Sequence, residues 1–420
     1  MLVLALLACA ACDSGSEGPA QAEGSSTSGS GSTGGMTGQP TSEAESSGSP
    51  TESSTGQVPG TCKMSFAEVS WFQVVETPAW LDAALVEPAA REIPLVEGRG
   101  AVLRAYVSGD TDGPADVTVH VDIAVGGQTE RYTSVTSVAG PDDAVVVDVP
   151  ASAMQQGATY VLSIADCDDA RIPLTGEADL GVVTTGPLRV HLVPFEVGGF
   201  TPDTSEAVLD GYREALVAMY PVTDVEFTVL PVEPDDSDGQ LDMGGLMSRL
   251  IALQEDLVFA SGDVDPSVAD IYYYGMVTGA ATRDEFCDSC PTGTSESGNG
   301  DRAGSAIGAA FADELAESTL VHEFGHMHGL LHSPCGDPSL QDPEFPYADG
   351  STATEGWDQR TASFVPASHN DVMGYCQPRW VSDYHYAKMV QWVQLAQSWA
   401  SGGRAAIPSR REACSTHRAP

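Results

Sequence analysis

Eleven consecutive residues, His322 to His332, hold the side chains best placed to do chemistry together. His322, Glu323, His326, Gly329 and His332 spell H-E-x-x-H-x-x-G-x-x-H. Positions four apart on a helix share one face, so His322 and His326 can reach one metal ion. Gly329 lets the backbone leave the helix through a conformation that a side chain would penalise, and His332 can then swing in as third ligand. Three imidazoles leave a fourth tetrahedral corner for water, the ligand set of one catalytic zinc ion rather than of a structural one. Glu323 follows the first ligand, where its carboxylate can take a proton from that water. Histidine is scarce, 9 in 420 residues, yet four of the nine fall between 322 and 332. That concentration argues against a core helix whose histidines are merely hydrogen-bonded. The fourth, His328, matches no fixed position of the pattern and is predicted to pack rather than to bind.

Downstream, Asp371-Val372-Met373-Gly374-Tyr375-Cys376 is a short apolar run with a methionine before a glycine. Taken alone, Met373 reads as core and Tyr375 as a buried tyrosine with one hydrogen bond. Placed after the histidine motif, the run resembles the Met-turn of the metzincin metalloproteases. The resemblance implies a zinc endopeptidase with Glu323 as general base. It further implies that Met373 forms a floor beneath the histidines and that Tyr375 approaches the metal and the transition-state oxyanion. Looser likenesses lie in Ser333-Pro334-Cys335-Gly336, Asp342-Pro343, Phe345-Pro346-Tyr347 and Trp380-Val381-Ser382-Asp383-Tyr384. These are similar to the surroundings of the site in secreted bacterial metzincins that cleave mucin-type O-glycoproteins, although Ser333 is also the residue type used by matrixins. The same resemblance makes the small-residue run Gly304 to Ala310 the edge strand on which an extended peptide lies; on composition alone it reads equally as a loop. Asp371 is a candidate to orient a ligand from behind.

Two other readings compete. In one, the chain is a cell-surface binding protein with a degenerate, non-catalytic zinc site; the intact motif speaks against it. In the other, a zinc hydrolase attacks non-peptide bonds; the Met-turn set, which belongs to peptidases, speaks against that.

With 18 Lys and Arg against 60 Asp and Glu, the net charge is −42. Nucleic acid is excluded as a partner, because phosphate binding needs clustered cations. The balance fits a highly soluble, exported monomer acting on a protein or glycoprotein substrate. Calcium is possible on so many carboxylates but unsupported, since no D-x-[DN]-x-[DN]-G loop occurs. Residues 1–12 form an apolar run ending in small residues and cysteine, too short to span a bilayer as a helix. They read as a bacterial lipoprotein-type signal in which Leu6-Leu7-Ala8-Cys9 fits a lipobox and Cys12 lies nearer the polar boundary. An ordinary cleaved secretory signal is the alternative. A lipid anchor at the cell envelope would then be the sole membrane contact. Residues 13–60, rich in Ser, Gly and Thr, cannot bury enough apolar surface to order themselves and read as a tether.

Seven cysteines follow the signal, in keeping with an oxidising compartment. The pairings expected are Cys62 with Cys167 and Cys335 with Cys376; Cys287 and Cys290 can close a small loop, leaving Cys414 over.

Residues 61–186 alternate with period two, as in Val117, Val119, Val121 and Ile123, and turn residues separate the runs. The pattern predicts a β-sandwich domain. Residues 187–402 alternate strand and helix. Leu209, Tyr212, Leu216 and Met219 mark one helix, and Leu246, Leu250, Leu253 and Leu257 a second. The motif helix spans about 313 to 328, and a last helix turns Tyr386, Met389, Val393 and Ala396 inward. This predicts a mixed sheet with helices packed on it, an α+β fold, ahead of a short tail at 403–420; the resemblance implies that the fold is of metzincin type.

Overall fold

A computed structural model of the chain describes residues 63–109, 115–140, 143–235, 240–286, 292–298 and 302–400. The signal, the tether, the tail, Cys62, Cys287, Cys290 and Cys414 lie outside the described residues. Those described form a mixed α+β structure with several sheets and, among them, four α-helices. None of these helices is long and apolar enough to cross a membrane.

Between Ser65 and Val183 the regular elements are strands and short 3-10 turns. One antiparallel sheet is built around Ser65–Phe72 and Ala101–Ser108, and another around Ala115–Val125 and Thr159–Ile164. Alternation decides which side chains go inside. Val117, Val119, Val121 and Ile123 are buried with Val69, Trp71, Leu103 and Val147 of the first sheet, while His120 and Asp122 point away. Trp71 meets Tyr160 edge-on across this core, ring centroids 5.6 Å apart.

The second half is ordered by one mixed sheet, Val225–Val229, Leu188–Glu196, Ile271–Val277, Ser305–Ala309 and Gly293–Glu296 in spatial order. The first four strands are parallel and the last antiparallel. All seven residues of Ile271–Val277 are buried, as expected of a central strand covered on both faces. Tyr272, Tyr274 and Met276 enter one core with α1 (Glu206–Met219), α3 (Glu314–Met327) and α4 (Asp383–Ala400). Ile271, Tyr273 and Val277 face α2 (Met243–Val258).

The helix expected through Leu246, Leu250, Leu253 and Leu257 is α2, and one expectation, that of the edge strand, is corrected. On α2 the fully buried stripe runs through Leu246, Leu250, Gln254 and Val258, with Leu253 and Leu257 only partly covered. Gln254 goes inside because its amide donates to Ile271 O and Ala303 O and accepts from Arg302 and Ser305. The run around Ser305–Ala309 is not an edge strand. It lies between Ile271–Val277 and Gly293–Glu296, and the edge is Gly293–Glu296. Its residues are small because neighbours crowd them; a Cβ on Gly308 would overlap the Tyr274 hydroxyl.

The two halves interlock. Arg99, buried, donates through Nη1 to Tyr220 O at 2.8 Å and Val222 O at 2.9 Å, capping carbonyls where α1 ends. Tyr220 in turn donates its hydroxyl to Val321 O in α3, 3.0 Å away. Val74 O receives Trp357 N at 2.8 Å and the Trp380 indole N–H at 2.9 Å. Arg104 stacks on Phe72 and Phe364 and pairs with Glu355 at 2.6 Å.

Candidate metal centre

The motif helix α3 starts where Asp313 caps it, accepting from Ala316 N at 2.8 Å. From Thr319 to Met327 every residue of α3 is buried, so this helix runs through the core rather than along its surface. Gly325 is required by contact, since a Cβ there would overlap Met373 Sδ. Gly329, at φ +74°, takes the left-handed turn that ends the helix; its N–H bonds His326 O at 2.8 Å and the next, Leu330 N–H, bonds Gly325 O at 3.0 Å.

The turn brings His332 back against the helix. The His322, His326 and His332 ligand atoms all lie within 4.8 Å of one another. Each ring is fixed from behind by a backbone carbonyl: His322 Nδ1 by Val372 O at 2.9 Å, His326 Nδ1 by Leu330 O at 2.8 Å, and His332 Nδ1 by Ser339 O. A carbonyl can only accept, so each Nδ1 carries the proton and each Nε2 presents a lone pair. His332 Nε2 stands 3.2 Å from His322 Nε2 and 3.0 Å from His326 Nε2. Between unprotonated nitrogens these are not hydrogen bonds but a cluster of facing lone pairs. Burial, and then the neighbouring imidazoles, holds His322 well below the ordinary histidine pKa; burial pushes His326 down to about 3 and lowers His332. Three neutral imidazoles aimed at one point suit a cation. Donors at about 2.0–2.1 Å in a tetrahedron stand roughly 3.3 Å apart, close to the two separations measured from His332. The donor set therefore fits a metal ion of zinc's kind.

Glu323 is buried, and its Oε2 has no hydrogen-bond partner. Burial pushes its pKa up to about 8, with Ser295 working against that rise. It lies against the edge strand, where a Cβ on Gly293 would overlap Oε1. Tyr375 brings its hydroxyl to 3.4 Å from His332 Nε2. His328 points elsewhere: fully buried, it meets the Tyr272 hydroxyl through Nε2 at 2.9 Å.

The loop after His332 is stitched to the segment around Met373. Ser333 N bonds Met373 O, Tyr375 N bonds Cys335 O at 2.9 Å, and Cys335 and Cys376 form the expected disulfide. Cys167 is also disulfide-bonded. Asp371 hydrogen-bonds to none of the three histidines, contrary to expectation. Its carboxylate accepts from Met373 N, Ser382 N and His385 Nδ1 at 2.8, 2.9 and 2.7 Å, pinning this segment to the start of α4. The aromatic stretch falls nearby: Tyr384 and Lys388 both donate to Asp342, and Tyr347 to Asp383.

One cleft is lined by the three histidines, Glu323, Tyr375, Thr292, Gly293, Leu315, Thr319 and Arg379. Sequence reasoning missed the last five. Only Arg379 carried a signal, as a cation beside the methionine run in a cation-poor chain; the others come from elements whose approach to α3 no local pattern records.

Residues 236–404 match the profile of a protein family described as Peptidase M66. It is a zinc metallopeptidase family acting on mucin-like glycoproteins, and the match supports a metzincin-like protease. A search of the curated proteins found no match.

Proposed function

We propose, from the peptidase family match over residues 236–404, that this chain is a zinc endopeptidase of metzincin type cleaving extracellular proteins, O-glycoproteins among them. The observation that carries the reading is the convergence of three Nε2 lone pairs beside a buried, unpartnered Glu323 oxygen. In this reading His322, His326 and His332 hold the ion. Bound there, zinc supplies a Lewis acid for the scissile carbonyl and for water, and its charge favours ionised Glu323.

Glu323 takes the proton of the attacking water on Oε2 and returns it to the leaving nitrogen. Tyr375 donates its hydroxyl to the oxyanion as the carbonyl becomes tetrahedral. The edge strand Gly293–Glu296 pairs on one side with Ser305–Ala309. Its other side can take an extended substrate by main-chain hydrogen bonds, which lays the scissile bond over Glu323. Met373, in contact range of Gly325, serves as the floor of the histidine helix in the manner of a Met-turn. Residues 61–186 form an all-β domain, 187–402 the catalytic domain, and the chain is exported, lipid-anchored at the envelope or secreted.

Glu323→Gln tests the proposal. The variant keeps zinc and loses hydrolysis of denatured protein and of mucin by about 10²-fold or more; full activity refutes it. Sequencing the cut sites in native and deglycosylated mucin tests the substrate class, and equal cleavage of both sinks the glycoprotein preference.

A further inference from the structure

We propose that Arg379 is a specificity-determining residue that holds a carboxylate of the substrate beside the scissile bond. The inference rests on the peptidase reading. Arg379 opens the short strand Arg379–Trp380, which pairs in parallel with Asn370–Asp371. Its side chain lines the cleft with His322, His332 and Tyr375. Nε donates to Cys376 O and Nη1 to Ser318 Oγ, each at 3.2 Å. Both acceptors are neutral.

Among the described residues no carboxylate forms an ion pair with this guanidinium. Asp371, which acts on it from further off, is committed to His385, Ser382 and Met373. Glu323, the carboxylate of the cleft, lies against Gly293 of the edge strand. Burial accordingly lowers the Arg379 pKa, and Tyr375 and Asp371 offset that only in part. A guanidinium withdrawn from water without an anion is under-compensated, and its planar fork matches a carboxylate in two parallel hydrogen bonds. The remaining lining residues Thr292, Leu315 and Thr319 are uncharged. A chain of net charge −42 repels anions in general, so a cation within the cleft selects them locally.

Two sources supply such a group: an acidic side chain near the cleavage point, or an acidic sugar on an attached glycan. Binding separates them. Zinc-loaded chain carrying Glu323→Gln, to suppress turnover, is titrated with peptides bearing Glu or Gln at each position in turn. It is then titrated with glycopeptides carrying an acidic sugar or its neutral counterpart. One acidic member binds about tenfold more tightly than its neutral twin, and which one does so identifies the source. Adding Arg379→Gln brings that ratio to near one, while Arg379→Lys keeps part of it, which guards against a mere folding defect. A ratio of one in every pair, or a ratio that survives Arg379→Gln, overturns the inference. Hydrolysis by the Glu323 form is measured alongside. Cleavage without an acidic preference sinks the carboxylate site alone; the preference without any cleavage leaves the site standing and sinks the peptidase.

Discussion

Replacing Asp371 by Asn probes the joint that holds the methionine segment against α4. Asp371 is fully buried, with Oδ1 receiving Met373 N–H and His385 Nδ1–H, and Oδ2 receiving Ser382 N–H. An amide keeps one oxygen and turns the other into a donor, so the Ser382 N–H then faces an N–H₂ group. That orphaned contact costs about 1–3 kcal/mol. Loss of the charge that the Met373 amide and His385 Nδ1 also hydrogen-bond raises the total to about 3–5 kcal/mol, since a hydrogen bond to a charged group contributes about 1.5–3 kcal/mol. A domain stable by only about 5–15 kcal/mol gives up a large share of that. The loss depends on pH with a definite sign. Burial alone would raise the Asp371 pKa, but His385, Ser382 and the Met373 amide outweigh it and hold it below the ordinary value. With the folded pKa depressed, the unfolded chain binds the proton first. The stabilisation is therefore complete above the unfolded aspartate value of about 3.9 and is lost as pH falls through the lower folded one. Urea unfolding followed by tryptophan fluorescence, with chelator present for both proteins, measures the difference at pH 7 and at steps down through pH 4. Wild type exceeds Asp371→Asn by about 3–5 kcal/mol at pH 7, and the gap narrows on acidification. A gap under about 1 kcal/mol at neutral pH, less than one orphaned donor costs, or a gap that widens in acid, refutes the reasoning.

Three further outcomes are expected. Tyr375→Phe lowers kcat by about 10²-fold with zinc content unchanged, as loss of one oxyanion donor should; steady-state kinetics showing a change in KM alone would place the hydroxyl outside the chemistry. Gly293→Ala pushes Glu323 aside, since the new methyl overlaps Oε1, and kcat on a fluorogenic peptide falls by about 10²-fold; an unchanged kcat means the edge strand does not set the carboxylate. Arg99→Met strips the donor from Tyr220 O and Val222 O and destabilises the chain by about 2–3 kcal/mol; a thermal midpoint equal to wild type's would show that this cap carries no load.

The histidine cluster was readable because its information is local. Helix periodicity puts His322 and His326 on one face, and one left-handed glycine returns His332, so eleven consecutive residues set most of the geometry whatever surrounds them. The Cys335–Cys376 disulfide was likewise foreseen, and α1, α3 and α4 fall where their apolar spacing puts them. The edge strand was not legible. Small residues at Ser305–Ala309 are compatible with an exposed strand, a loop or a crowded interior, and only the neighbours Tyr274 and Ile271–Val277 choose the last. Gln254 reads as a surface residue until carbonyls from two other elements arrive to be capped. What the tertiary structure alone decided is the electrostatic state of the site: that the Val372 carbonyl orients His322, that Glu323 is buried with its Oε2 unpartnered, that Asp371 serves the turn rather than a ligand, and that Arg379 lines the cleft with no ion pair among the described residues. The Val372 carbonyl lies 50 residues beyond His322 and Ser318 lies 61 residues before Arg379; packing brings such groups together, and solvation and Coulomb energies follow distance in space rather than order along the chain.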